Sequence, residues 1–176
     1  MEAPRLGILK GTRRIVFLDI DGVIDTGISR THPLPDRQLL EELSEKTGNP
    51  VYRTMNPGDV SAALQWDKES MENLKSFLDE FDAVVVMEST WVLTNSLEEI
   101  KALFALWDMD SYIIGIIPDR RRKDAGIDQY VREHAREMGN YLIFDDRPVF
   151  DGCERQVKTN WHLGPEDIGK ARLLFS

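Results

Sequence analysis

Two aspartates, Asp19 and Asp21, follow directly on an apolar run and stand one residue apart, with Gly22 beside them. If a turn brings their carboxylates about 4 Å apart, they repel each other by roughly 4 kcal/mol at an effective dielectric constant near 20. Such a pair stays ionised only when a cation neutralises it. Carboxylate oxygens are hard ligands that favour magnesium. The pattern predicts a magnesium site, although an acidic pair before a glycine is also typical of a solvated turn.

Other residues that could act with this pair stand next to later apolar runs. A glutamate and two hydroxyls follow the second run, two aspartates follow the fourth, and a basic stretch lies between them: Glu88, Ser89, Thr90, Asp145, Asp146 and 120–123. Carboxylates, hydroxyls and cations are the groups that bind metal and phosphate. Together they predict phosphate chemistry, provided that the fold brings them to one place.

Hydrophobic periodicity predicts the strands that must position these residues. Short, almost wholly apolar runs indicate a first strand that ends at Leu18 and four more at 83–87, 112–117, 141–144 and 157–159. Strands that are apolar on both faces are typical of a parallel sheet covered by helices on both sides. In such sheets ligands bind beyond the carboxyl ends of the strands, which is where the candidate residues lie.

Apolar residues at helical spacing predict helices between these strands. Asp67 is expected to cap the helix before the second strand, and Ser96 with Glu99 fits a capping box for the next one. Gly139 is expected to end the helix before the fourth strand, and a last helix begins near Pro165. The predicted fold class is therefore α/β, a doubly wound, mainly parallel, Rossmann-like sheet.

Length and composition indicate one domain over residues 1–176 with an insertion at about 25–66. The insertion is rich in proline and glycine and carries one predicted helix, at 35–46. Connections of this length are lids, binding loops or disordered segments, and the sequence leaves open whether this one closes over a site.

Charge and cysteine content limit which partners and which cellular compartment we expect. The formal net charge of −9 opposes a broad nucleic-acid or membrane surface, although a local basic cluster could still hold one phosphate. Cys153 is the only cysteine, and neither a long apolar run nor an apolar leader is present. We expect a cytoplasmic protein without a membrane partner; the oligomeric state is left open.

The stretch from Asp19 to Ile24, with its two aspartates, Gly22 and Val23, resembles the first motif of the haloacid dehalogenase (HAD) superfamily. The resemblance implies an HAD-like fold with a small or absent cap and a bound Mg²⁺. It implies that Asp19 is a nucleophile that forms an aspartyl-phosphate. Asp21 would be the general acid and base, and both aspartates would contribute to the metal site.

The later motifs of the superfamily also have counterparts. Ser89 resembles the serine or threonine that binds a phosphoryl oxygen, with Thr90 as the alternative. Lys123 resembles the basic residue at a helix start; the arginines before it, at 120–122, compete for that role. Asp145 and Asp146 resemble the acidic metal-binding motif. Asp146 is favoured as the direct ligand, and its spacing to Asp151 also fits a variant of the motif.

Within the superfamily, the chain is most similar to the small HAD-like domains associated with RNA-repair proteins. Trp91 after Ser89-Thr90, the Asp145-Asp146 pair and the tail 157–164 carry this likeness. Glu88 departs from it, because a small or neutral residue is expected there.

The resemblance implies a Mg²⁺-dependent phosphatase that acts on a phosphorylated small molecule, nucleotide or nucleic-acid end. The alternative is a weakly active or inactive magnesium-binding interaction module. A phosphotransferase or a dehalogenase is less favoured, since Asp21 suits the protonation of a phosphate-ester leaving group.

Overall fold

The computed structural model describes residues 1–27, 36–118 and 122–175. Within these residues the chain forms five parallel strands and six α-helices. The strands are β1 (Arg13–Leu18), β2 (Ala83–Met87), β3 (Ile113–Ile116), β4 (Met138–Asp145) and β5 (Gln156–Lys158). The helices are α1 (Arg37–Thr47), α2 (Pro57–Ala63), α3 (Lys68–Phe81), α4 (Leu97–Ala105), α5 (Lys123–His134) and α6 (Pro165–Phe175).

The sheet has the strand order β3-β2-β1-β4-β5, so that β1 is central. The chain builds outward from β1 through β2 to β3, then returns to the other side of β1 with β4 and β5. The order reverses between β1 and β4, and the crevice at such a reversal is where doubly wound sheets bind ligands. The predicted α/β fold class is confirmed.

The core lies on both faces of the sheet because β1 alternates its side chains between them. Val16 and Leu18 pack on one face with side chains from α3, α4 and α6, and Ile15 and Phe17 pack on the other with Ile127 of α5. These four side chains are at most 1% exposed. A strand buried on both faces has no need for polar side chains until it ends, which explains the abrupt change at Asp19.

The predicted helix caps form as expected. The Asp67 side chain accepts a hydrogen bond from the backbone N–H of Ser70, and Ser96 and Glu99 form a reciprocal capping box. None of the described helices combines the length and the apolarity that a membrane span requires.

The insertion contains more structure than the sequence indicated. α1 corresponds to the predicted helix, and a 3₁₀ helix (Pro50–Thr54) and α2 follow it. The Tyr52 ring is buried, and its hydroxyl donates to the carbonyl of Ala102 in α4. α2 begins at the Asn56-Pro57 cap but has only seven residues, too few for a periodic pattern to indicate it. Residues 28–35 of the insertion lie outside the described residues.

The interpretation of Gly139 as a helix end was wrong. α5 ends at His134, and Gly139 is the second residue of β4, which begins three residues before the predicted strand. A Cβ atom at Gly139 would lie 2.7 Å from the carbonyl oxygen of Gly11. The glycine therefore allows two backbone segments to pass closely, a function that the local sequence does not distinguish from a helix stop.

All four tyrosines have raised pKa values, which predicts the alkaline behaviour of the fold. Burial raises the pKa of Tyr52, Tyr130 and Tyr141, and a hydrogen bond to Asp79 together with burial raises that of Tyr112 to about 12. In the unfolded chain the tyrosine side chains have a pKa of about 10. Their protonated forms therefore stabilise the fold fully below that pH, and the contribution is lost as the pH rises through the folded values.

The test is an ultraviolet absorbance titration of tyrosinate, recorded beside the circular dichroism signal. We expect little tyrosinate at about pH 10 while the protein stays folded, and alkaline unfolding at higher pH. Tyr112→Phe should remove one ionising group and leave the others unchanged. A half-ionised set of tyrosines at about pH 10 in a fully folded protein would contradict the prediction.

Candidate active site

Three carboxylates lie side by side at the carboxyl edge of the sheet. Asp19 follows β1, Glu88 follows β2, and Asp145 ends β4. Parallel pairing continues past the strand ends, since the N–H of Asp19 donates to the carbonyl of Phe144 (3.0 Å) and that of Glu88 to the carbonyl of Leu18 (2.9 Å). The exposed fractions of the three residues are 7%, 3% and 0%. Burial of three like charges demands a counter-charge.

Lys123, the first residue of α5, supplies that counter-charge. Its Nζ lies 2.6 Å from Oδ2 of Asp19, 2.5 Å from Oδ2 of Asp145 and 3.3 Å from Oε2 of Glu88. Burial lowers the pKa of the ammonium, but the three carboxylates outweigh burial and raise the pKa above its ordinary value. Lys123 therefore carries a positive charge at neutral pH.

Burial disfavours the ionised forms of Glu88 and Asp145. Burial raises the pKa of Glu88 well above its ordinary value, and the attraction of Lys123 only partly opposes this. Burial also raises the pKa of Asp145, again against the attraction of Lys123. Within the described residues, neither carboxylate oxygen of Glu88 has a hydrogen-bond partner. The cluster has more acidic groups than one lysine can balance, which suits it to a further cation.

A group of three aspartates could hold that cation. Asp19, Asp145 and Asp146 each offer a carboxylate oxygen, and these oxygens lie within 4.8 Å of one another. Gly22 makes room for Asp146: its φ is +75°, and a Cβ there would lie 2.7 Å from the Cβ of Asp146. Clustered carboxylate oxygens are the ligands that Mg²⁺ prefers, so the residues fit the expected ion.

Asp21 lies beside this group, and its side chain is not among the three clustered carboxylates. Its exposed carboxylate accepts a hydrogen bond from the indole N–H of Trp91 (3.4 Å). A hydrogen bond fixes the turn that carries Asp21, because the hydroxyl of buried Thr159 donates to the carbonyl of Gly22 (2.7 Å). This places a carboxylate at the edge of the site, where it can contact a ligand.

A cavity of about 350 Å³ opens above these residues. Its walls come from the acidic cluster, the start of α5 and the loop after β4: Asp19, Asp21, Thr90, Lys123, Asp124, Asp145, Asp146, Arg147, Pro148 and Val149. Arg147 is exposed there and supplies a second cation. The sequence reasoning missed Arg147, since a loop arginine after the paired aspartates carries no local signal of a binding role.

The two hydroxyls predicted to bind phosphate occupy different environments. Ser89 is 2% exposed, and its Oγ accepts a hydrogen bond from the N–H of Trp91 (3.5 Å) at the start of a 3₁₀ helix, Thr90–Leu93. Thr90 is exposed and lines the cavity. Of the two, Thr90 is the hydroxyl that a ligand in the cavity meets first.

The competing basic residues do not share the position of Lys123. Arg122 is exposed and forms an ion pair with Asp124 (2.6 Å). Arg120 and Arg121 lie outside the described residues. Asp151, the alternative acidic residue, is fully exposed and lies 3.8 Å from the N-terminal amine. Among the described candidates, Lys123 is the cation that contacts the acidic cluster.

Comparison with known proteins identifies the family of the chain. A family model described as "HAD domain in Swiss Army Knife RNA repair proteins" matches residues 15–167, which include every residue of the acidic cluster and Lys123. No match to the chain was found among curated proteins or among solved structures. Since the family match covers most of the chain, the protein belongs to the HAD domains of Swiss Army Knife RNA repair proteins.

Proposed function

We propose that the protein is a Mg²⁺-dependent phosphomonoester hydrolase that works through an aspartyl-phosphate on Asp19. Membership of an HAD family supports phosphoesterase-type chemistry. The observation that carries the proposal is the placement of Asp19, which lines the cavity while Lys123 binds its Oδ2 at 2.6 Å. A carboxylate oriented in this way can attack a phosphoryl group in line.

Asp19, Asp145 and Asp146 would hold the magnesium ion, together with the backbone carbonyl of Asp21. When bound, the ion neutralises the negative charge of the phosphoryl oxygens and of the carboxylates. The residues of the chain carry out the remaining tasks: they bind the phosphate, attack it and transfer protons.

In the first step a carboxylate oxygen of Asp19 forms a bond to phosphorus, and the bond from phosphorus to the ester oxygen breaks. Asp21, at the edge of the cavity, donates its proton to the departing oxygen. In the second step Asp21 takes a proton from water, which attacks the phosphorus and releases inorganic phosphate and the free carboxylate of Asp19. One residue thus serves as acid and then as base.

The phosphate oxygens would be bound by Thr90 or Ser89 and by Lys123. Arg147 would contact the substrate beyond its phosphate. The open cavity and the family description favour a nucleotide or a nucleic-acid end as substrate, with Trp91 beside the site as a surface on which a base can stack. The net charge of −9 favours small phosphate esters instead.

The test is phosphate release from a panel of esters, with and without Mg²⁺. The panel contains an oligonucleotide with a 3′-phosphate, one with a 5′-phosphate, mononucleotides, sugar phosphates and a phosphopeptide. Magnesium-dependent release that Asp19→Asn abolishes supports the proposal, and the best substrate identifies the class. No release from any ester would favour the magnesium-binding interaction module.

Lys123→Ala is expected to lower kcat by about 10²–10³-fold with a much smaller rise in KM. Lys123 stabilises charge that shifts onto oxygen atoms in the transition state, so its removal acts on turnover more than on binding. The measurement is steady-state kinetics at saturating Mg²⁺. Arg122→Ala is the matched control, because it removes the neighbouring positive charge, which faces Asp124 instead. A raised KM with unchanged kcat would assign Lys123 to substrate binding alone.

A further inference from the structure

Glu88 is the one member of the acidic cluster to which the proposed chemistry assigns no task. It is 3% exposed, and both of its carboxylate oxygens lack hydrogen-bond partners among the described residues. A buried acidic group without such partners is costly, and a neutral residue at the end of β2 would avoid the cost. Its neighbours are the ammonium of Lys123, which forms an ion pair with it at 3.3 Å, and the side chain of Asp145.

The other two carboxylates around Lys123 have competing roles. Asp19 is the proposed nucleophile, and its charge is consumed when it bonds to phosphorus. Asp145 belongs, with Asp19, to the group of oxygens that could hold the metal ion, whereas Glu88 does not. Of the three carboxylates around Lys123, Glu88 is therefore the one that neither bonds to phosphorus nor belongs to the candidate metal group.

We propose that Glu88 is a positioning residue that holds the ammonium of Lys123 in place while Asp19 is phosphorylated. This inference rests on the proposed function. The side chain of Lys123 is 28% exposed and reaches the cavity, whereas that of Glu88 is 0% exposed. Glu88 thus cannot touch a substrate and acts through Lys123.

The decisive experiment is a double-mutant cycle between Glu88→Gln and Lys123→Met, measured as kcat at saturating Mg²⁺. Glutamine keeps the size of the side chain and replaces its carboxyl group with an amide that cannot form an ion pair. We expect Glu88→Gln to lower kcat roughly tenfold with little change in KM in the wild-type background, and to have no further effect in the Lys123→Met background. Equal losses in both backgrounds would overturn the inference, because Glu88 would then act independently of Lys123.

A second measurement does not depend on turnover. Reductive methylation, followed by peptide mass spectrometry, reports how freely each lysine reacts. With Mg²⁺ present, we expect Lys123 to react several-fold faster in Glu88→Gln than in the wild type, while the exposed Lys46 and Lys68 react equally in both. An unchanged rate at Lys123 would overturn the inference. If the wild type shows no turnover that depends on Asp19, the proposed function fails, and the labelling result alone decides whether Glu88 holds Lys123.

Two controls separate positioning from a general effect on folding. Glu88→Gln removes one of the three buried acidic groups that face one ammonium, so we expect its Tm in metal-free buffer to be no lower than that of the wild type. A lowered Tm with matching loss of activity would assign Glu88 a structural role. Glu72→Gln, on the exposed face of α3, removes a negative charge away from the site. It should change neither the Tm nor kcat.

Discussion

Asp19→Asn is expected to lower kcat by on the order of 10⁴-fold or more at every substrate concentration, because it removes the attacking group itself. The amide oxygen of asparagine cannot form the acyl-phosphate. The substitution also removes one of three clustered carboxylates, so the rise in Tm on adding Mg²⁺ should shrink. The measurement combines steady-state phosphate release with thermal unfolding in the presence and absence of Mg²⁺.

The fold should survive this substitution. Asparagine has nearly the shape of aspartate, and the loss of one negative charge leaves Lys123 with two carboxylates instead of three. We therefore expect the metal-free Tm to be no lower than that of the wild type. Asp124→Asn is the matched control, since Asp124 lines the same cavity but pairs with Arg122. Retention of more than a small fraction of turnover by Asp19→Asn would exclude Asp19 as the nucleophile.

The strands could be predicted because a buried strand is an unbroken run of apolar residues in the sequence. Residues 15–18 are apolar without interruption, since alternate side chains pack on opposite faces of the sheet. The helix caps at Asp67 and Ser96 were equally visible, because each involves residues only three positions apart. Where a structural element depends on near neighbours, the sequence was sufficient.

The arrangement of the site could be predicted only in part. Strand ends placed Asp19 and Asp145 at one edge, but the contact of Lys123 with Glu88 joins residues 35 positions apart (123 against 88) and has no local signature. The same limit explains why two other contacts could not be predicted from the sequence: the close approach of Gly139 to Gly11, and the hydrogen bond from Tyr52 to the carbonyl of Ala102. Such contacts follow from packing between distant segments, which periodicity does not encode.

The substitution Asp21→Asn tests both the assignment of Asp21 as the general acid and the proposed mechanism. Its carboxylate lines the cavity but lies outside the clustered metal group, which suits proton transfer better than metal binding. Asp21→Asn is expected to slow the hydrolysis of an alkyl phosphate by roughly 10²–10⁴-fold, because the alkoxide then leaves without a proton. A variant that retains the full rate would exclude Asp21 as the general acid.

The choice of ester separates the two roles proposed for Asp21. Nitrophenolate is a stable anion and leaves without protonation, so with p-nitrophenyl phosphate the first step should be nearly normal in Asp21→Asn, whereas the attack of water remains slow. Stopped-flow absorbance should then show a burst of about one nitrophenolate per active site, followed by slow turnover, as expected when a covalent intermediate accumulates. Trp91→Phe, which removes the N–H donated to Asp21 but keeps the carboxylate, should alter the rate far less and give no new burst. If the alkyl and nitrophenyl esters are slowed equally in Asp21→Asn and no burst forms, Asp21 acts by binding the substrate and not by transferring protons.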